Sequence, residues 1–181
     1  MGQSNGPSSP AFVGAVRVSP IGCLIVWDAA LEAGEKGLVL GDQEEMGFGA
    51  RMAGPLIEKK GGKIANSNGK TTAKETWGQP AEWTDYSGVA NGTETGITLF
   101  ASPDNFRRSW WHNRDYGLMV ANPFGRSAMK QGGKSAVELK AGESLRLVFG
   151  AMLHEGPGYN PGQAYNDFRA AIGREKEKTP R

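Results

Sequence analysis

Glycine and proline punctuate this chain too often for long helices over most of its length. Glycine fills 27 of the 181 positions and proline another 10, where glycine at roughly 7% is usual. A helix interior has to suppress the freedom of each glycine and lacks the backbone donor of each proline. What lies between them is a series of short apolar bursts, which suits strands and turns. Two of these, residues 11–18 and 22–29, flank Ser19-Pro20, and the second carries the continuous run Cys23-Leu24-Ile25-Val26-Trp27. Such a run marks a strand buried on both faces or at a sheet centre, with Cys23 as a small buried apolar residue. Residues 37–41 form another burst, Ile97 and Leu99 share a face, and Tyr116, Leu118 and Val120 alternate with smaller residues.

The clearest pattern spans 143–154. Leu145, Leu147, Phe149, Ala151 and Leu153 fall on one face, and Arg146, Val148, Gly150, Met152 and His154 on the other. A period of two over ten residues is a strand with unequal faces. One helix is expected after it. Asn160 can cap, Pro161 suits the first helical position, and Gln163 stands where a capping box wants an amide. Tyr165, Phe168 and Ile172 form its apolar stripe and Gly173 ends it. Residues 61–75 read as a polar surface loop around one short strand. The expectation is an all-β antiparallel sandwich with one C-terminal helix. Residues 1–10 would be a flexible leader, 11–173 a single domain and 174–181 a charged tail.

Composition excludes several classes. Lys and Arg total 21 against 19 Asp and Glu, a net charge of +2, which gives no electrostatic reason to expect nucleic acid or an anionic membrane as partner. No stretch approaches the roughly 18–20 apolar residues of a membrane span. The start lacks the basic region of a signal peptide, so a cytoplasmic location is the default expectation. A single cysteine excludes an internal disulfide framework, and two histidines, His112 and His154, are too few for a three-histidine metal site. No metal and no cofactor are expected.

The densest chemistry is Trp110-Trp111-His112-Asn113-Arg114-Asp115-Tyr116-Gly117, followed by Asn122-Pro123-Phe124-Gly125. Indole faces stack on a sugar ring or another flat ligand, while Arg114 offers a bidentate fork to hydroxyls or carboxylates. The plainer alternative is that Arg114 pairs with Asp115 and the tryptophans close the core. A second cluster, Asp42-Gln43-Glu44-Glu45, crowds carboxylates that raise one another's pKa, as a general acid needs, or is only a solvated acidic turn. Trp83-Thr84-Asp85-Tyr86 is a third patch. His154 could face solvent, pair with Glu155, or meet His112 across the sheet. Asn91-Gly92-Thr93 fits a glycosylation sequon, and the nucleophile-elbow, phosphate-loop, CxxC and HExxH motifs are all missing.

The segments GDQEEMGFGARMA, GGKIANSNG, ETWGQPAEWTDYSG, GITLFASPDNFRRSWWHNRDYGLMVANPFG and LKAGESLRLVFGAMLHEG occur in this order. Over roughly residues 37–156 they resemble the bacterial domain family of unknown function often labelled "methane oxygenase PmoA". The oxygenase label does not transfer, because a methane monooxygenase subunit spans the membrane many times and this chain has no span. The resemblance implies a β-sandwich similar to galactose-mutarotase-like supersandwich domains, often found near sugar-processing genes, with no settled reaction. It marks Glu45, Asp85, Tyr86, His112, Arg114, Asp115, Tyr116, Asn122 and His154 as family-pattern positions. Two departures stand out. The histidine-rich N-terminal half of the family pattern is missing here, and the family's "DHPxNPRHPTxWH" loop reads instead as Ala101 through His112, with one histidine fewer.

The favoured reading is a sugar-active sandwich enzyme working by acid–base chemistry without a cofactor. His112, Glu45 and Asp115 would be its catalytic groups, and Arg114, Trp111, Tyr116, Asp85, Asn122 and His154 would bind a sugar or other small molecule. The alternatives are a carbohydrate-binding module without catalysis, or a hydrolase of an ester or lactone. His112 is expected on a rim loop, where its loss would cost little stability. A sandwich with missing strands would expose edges, so self-association into a homo-oligomer is also expected.

Overall fold

A computed structural model of the chain describes residues 12–19 and 22–178; the leader expected at 1–10 lies outside them. Among the described residues eleven strands are formed: β1 (Phe12–Ser19), β2 (Gly22–Glu32), β3 (Leu38–Leu40), β4 (Phe48–Arg51), β5 (Lys63–Asn66), β6 (Trp83–Ala90), β7 (Thr93–Ala101), β8 (Trp110–Asn113), β9 (Leu118–Asn122), β10 (Val137–Leu139) and β11 (Ser144–Glu155). A short helix, α1 (Thr72–Thr76), precedes β6, and a long one, α2 (Pro161–Lys178), follows β11. The architecture is an all-β sandwich with one C-terminal helix. Its large sheet has the order β1-β2-β11-β7-β6-β5, and smaller sheets of order β4-β9-β8 and β10-β3 complete the strand layers. All the pairings are antiparallel.

β11 is central because its sequence can be buried from both sides. It pairs with β2 from Ser144↔Glu32 to His154↔Gly22 and with β7 from Phe149↔Ala101 to Glu155↔Thr95. Its Leu147, Phe149 and Ala151 enter the core shared with the smaller sheets, while Val148 and Met152 enter a second core under α2. The first core is tied across the layers by aromatic rings. Phe48 of β4 stacks on Trp27 of β2 and on Phe149, with ring centroids 5.5 and 5.4 Å apart. Leu153 departs from the expected pattern: it lies 42% exposed at the far end of the strand, outside both cores.

The helix begins as its sequence indicates. Asn160 Oδ1 accepts the Gln163 N–H at 3.1 Å, so Asn160 caps and Pro161 opens the first turn. The Gln163 side chain does not complete a capping box but donates to Asp167 four residues on, at 3.2 Å. Phe168 stacks on Phe100 of β7, and Ala164, Tyr165, Ala171 and Ile172 join it in the second core. Gly173 does not end the helix, which runs on to Lys178. A helical glycine costs only about 1 kcal/mol relative to alanine, and the Arg-Glu-Lys-Glu-Lys sequence after it is a good helix former.

Other local expectations change. The polar stretch 61–75 holds β5 as expected, but its end forms most of α1 where the composition predicts loop. Cys23 is half-buried, while its neighbours Leu24 and Val26 are buried. The sequon residues Asn91 and Gly92 form the β6–β7 turn with φ of 52° and 79°, the left-handed pair that a two-residue hairpin requires. No helix among the described residues is long and apolar enough to cross a membrane.

The fit of α2 on the sheet depends on the missing side chain of Gly150. A Cβ there would lie 2.7 Å from the Phe168 ring and 3.0 Å from Phe100. Gly150→Ala is therefore expected to cost about 1–3 kcal/mol through overpacking. Gly34→Ala, where nothing lies within 4 Å of the new Cβ, is the control and is expected to stay near neutral; urea denaturation of the two variants beside the parent measures the difference.

Candidate functional site

β8 and the turn after it set His112 and Arg114 beside the β3–β4 loop. His112 is fully buried. Glu44 Oε1 gathers three nitrogens: Arg114 Nη2 at 2.6 Å, Trp77 Nε1 at 3.1 Å and His112 Nδ1 at 3.3 Å. Arg114 Nε donates to His112 Nε2 at 3.2 Å. Trp77 Nε1 also lies 3.3 Å from His112 Nδ1, but a neutral imidazole accepts at only one nitrogen. With the Arg114 N–H on Nε2 and the Trp77 N–H taken by the nearer Glu44 Oε1, the proton is assigned to Nδ1, facing Glu44. Burial pushes the His112 pKa below its ordinary value; Glu44 opposes this and Arg114 reinforces it. The ring is neutral near pH 7.

The loop that delivers Glu44 is clamped by Asn122 at the end of β9. Its Nδ2 donates to the carbonyls of Gln43 at 2.7 Å and Glu44 at 2.9 Å, and its Oδ1 accepts the N–H groups of Phe124 and Gly125. Gly125 is needed at this crossing, since a Cβ would sit 2.3 Å from the Gln43 carbonyl oxygen. Asp42 clamps the next loop through the N–H groups of Ala128, Ser127 and Ser135. Burial works against its charge, but these three donors and Arg126 hold the carboxyl below the usual carboxylate range.

In front of this network opens a cleft of about 850 Å³. Trp77, Glu44 and Arg114 form one side, and Lys74, Lys130 and Asp115 stand around it. Arg114 and Lys130 both lie over the Trp77 ring, at 5.8 and 5.7 Å from its centroid. Asn113 donates to Thr76 Oγ1 at 2.8 Å, and its own Oδ1 is buried without a partner. Tyr86 ties the turn after β8 to the 3₁₀ turn at Glu58–Lys60: its hydroxyl accepts the Glu58 N–H at 2.6 Å and lies 3.3 Å from the Asp115 carbonyl. Among the described residues, no three His, Cys, Asp or Glu side chains converge as metal ligands would.

Residues 13–164 match Family of unknown function (DUF6807). The chain belongs to this family. No curated protein and no solved structure matches it. The DUF6807 match covers every element of the cleft and all strands except the first residue of β1, and it ends in the first turn of α2.

Within this DUF6807 domain the residues singled out from sequence separate into three groups. His112, Arg114 and Asp115 come together at the cleft, but not in the arrangement expected. His112 does not stand on a rim loop; it lies in a strand behind Glu44 and Arg114 and touches no open space. Asp115 lines the cleft and pairs with Lys59 at 3.3 Å rather than with Arg114. Glu45 stands aside, 67% exposed and 3.8 Å from His112 Nε2, while its neighbour Glu44 makes the contacts. Trp111 and Asn122 are fully buried. Trp111 donates to the Ala81 carbonyl at 3.0 Å and offers no face to a ligand, and Asn122 is a clamp. Tyr116 lies outside the cleft, under the Arg51 guanidinium.

Asp85 and His154 form a separate cluster in the large sheet. His154 meets neither His112 nor Glu155; its Nε2 lies 2.9 Å from Asp85 Oδ1, which also accepts the Thr98 hydroxyl at 2.6 Å. Tyr159, just before α2, stacks on the His154 ring at 3.6 Å and hydrogen-bonds Thr98 at 2.7 Å. Burial pushes the Tyr159 hydroxyl pKa far up. Sequence reasoning missed Trp77 and Lys130, and within the Asp42-Gln43-Glu44-Glu45 cluster it picked Glu45 where Glu44 makes the contacts. Trp77 stood in the quoted ETWGQP segment, so an aromatic in a family element was its available signal.

Because His112 is buried within its network, His112→Ala is expected to cost about 1–3 kcal/mol in urea denaturation, leaving Arg114 and Glu44 without their common partner. The ring is also linked to pH. Its folded pKa is below the unfolded value of 6.5, so as pH falls the unfolded chain takes up this proton first. The stability it contributes is present above the unfolded pKa and is lost as pH falls through the folded one. Melting temperature followed from pH 7.5 to 5 is therefore expected to drop less steeply in His112→Gln than in the parent.

Proposed function

We propose that this domain binds a carbohydrate in the cleft beside Trp77, Glu44 and Arg114. The observation that carries this reading is the pairing of an indole with a held Arg114–Glu44 ion pair on one wall. Sugars present an apolar C–H face and a rim of hydroxyls. An aromatic ring suits the first, and charged hydrogen-bonding groups in fixed positions suit the second. Glu44 Oε1 takes all three protein donors, and Oε2 makes no hydrogen bond among the described residues, so it remains for a ligand hydroxyl. The volume of about 850 Å³ lies in the range of small-molecule sites, which runs from roughly 300 to 1,000 Å³. His112 acts through its neighbours: it positions Glu44 and Arg114 and does not touch the ligand.

A second reading, proton abstraction from the bound sugar by Glu44, is favoured by the imidazole Nδ1–H directed at that carboxylate. Glu44 replaces Glu45 as the candidate base in it, since Glu45 is the more distant and more exposed of the two.

The test is calorimetric or ligand-observed NMR titration with a panel of mono- and disaccharides. At least one sugar is expected to bind, and Glu44→Gln and Arg114→Ala are each expected to weaken it tenfold or more, about 1.4 kcal/mol. A panel in which nothing binds at millimolar concentration, or in which both variants bind like the parent, overturns the reading.

A further inference from the structure

We propose that the sugar this cleft selects is an acid, a monosaccharide whose single carboxylate is met by Lys130 and Lys74. This rests on the carbohydrate reading above and specifies its ligand.

The charges around the cleft are unequal once internal partners are assigned. Glu44 is held by Arg114 at 2.6 Å, Asp115 by Lys59 at 3.3 Å, and Glu58 accepts the Ala73 N–H at 3.0 Å. Glu44 and Asp115 are thus ion-paired, while Glu58 keeps its charge under a backbone hydrogen bond. Lys74 and Lys130 line the same cleft, and neither forms an ion pair among the described residues. What an entering molecule meets is two ammonium groups without an ion-pair partner among the described residues, beside an indole.

Lys130 is held in place by more than its own stem. Its φ is 57°, a left-handed conformation that a lysine adopts only when its surroundings impose it. They do so through fully buried Met129 next to it, the Met129 N–H to Gly125 carbonyl bond at 2.8 Å, the Gln131 N–H to Arg126 carbonyl bond at 2.7 Å, and the Asp42 clamp on Ser127 and Ala128. The result is an ammonium 5.7 Å from the centre of the Trp77 ring. Thr72, also on the lining, has φ of 67°, a rare state for a β-branched residue. The one other non-glycine residue with positive φ among those described is Asn91, in the β6–β7 hairpin turn where that conformation is ordinary. Lys130 itself closes a turn, with its N–H on the Ser127 carbonyl at 2.9 Å and the next N–H on the Arg126 carbonyl, which makes its left-handed state a cap that the fold enforces. The lining position where no such turn accounts for the strain is thus Thr72.

A polar group also waits there. Asn113 lines the cleft, is 1% exposed, and has an Oδ1 without a donor. A carboxylate suits the site better than a phosphate. The guanidinium of Arg114 is committed to Glu44, so no fork remains for a phosphate, and three lining carboxylates repel a dianion more than a monoanion.

The experiment compares matched pairs: galacturonate with galactose, and glucuronate with glucose, titrated calorimetrically at low and moderate salt, with glucose 6-phosphate as a further arm. An acid is expected to bind at least tenfold more tightly than its neutral partner, with the margin shrinking as salt rises. Lys130→Met keeps an unbranched stem over Trp77 and removes the charge. It is expected to bring the acid-to-neutral ratio towards one, and Lys130→Glu to invert it, with melting curves showing that both variants fold. Equal binding of acid and neutral sugar, an unchanged ratio in both Lys130 variants, or tighter binding of the sugar phosphate than of either uronate overturns this proposal while leaving the carbohydrate reading intact. No binding of any acid or neutral sugar overturns both.

Discussion

A strand at the centre of a covered sheet has to serve two cores with one alternating sequence, and β11 carries that demand for the whole domain. Phe149 closes the aromatic stack with Trp27 and Phe48 on one side. Val148 and Met152 receive the helix on the other, and Gly150 leaves the space that the Phe168 ring occupies. Burial on both faces also fixes register, because a slip of one residue would exchange the two sets of side chains. The hairpin of β6 and β7 is thereby set against β11, and with it Tyr86, whose hydroxyl reaches across to the turn after β8.

From there the order passes to the cleft through buried polar groups more than through packing. Asn122 satisfies both ends of its amide by joining the Gln43–Glu44 segment to the Phe124–Gly125 turn. Asp42 holds the loop that carries Lys130. His112 sits between Glu44 and Arg114 and is itself out of reach of solvent. A buried polar network with its partners satisfied is rigid and geometrically specific. Side chains that look reactive in the sequence are here the supports, and the groups they support face the cleft.

This division explains what was legible in the sequence. The period-two pattern of 143–154 and the Asn160-Pro161 start of α2 report on burial and capping, which are local or nearly local properties, and both were readable. The side on which His112 would lie was not. A histidine between two tryptophans and an arginine has the same sequence whether its ring faces solvent or sits behind an ion pair to Glu44, a residue 68 positions away. The choice between Glu44 and Glu45 depends on which of two adjacent side chains the Asn122 clamp turns inward, again a long-range matter. Asp85 and His154, grouped with the cleft by their chemical type, belong to another part of the large sheet because β6 and β11 each flank β7 there. Lys130 carried no signal, since its left-handed backbone is imposed by the fold around it.

The extent of the family match gives the second core a further meaning. The match stops at residue 164, so the rings of Tyr165 and Phe168 that cover Phe100, Val148 and Met152 lie past the shared boundary. Inheritance within the family is therefore expected to couple these two parts of the chain. A relative that keeps such a helix is expected to retain the small residue at 150 and the apolar trio beneath it. One that lacks the helix would wet that face, and selection would replace the trio with polar side chains and relax the demand for glycine. The residue at 150 would then record, in each lineage, whether the domain wears this cover.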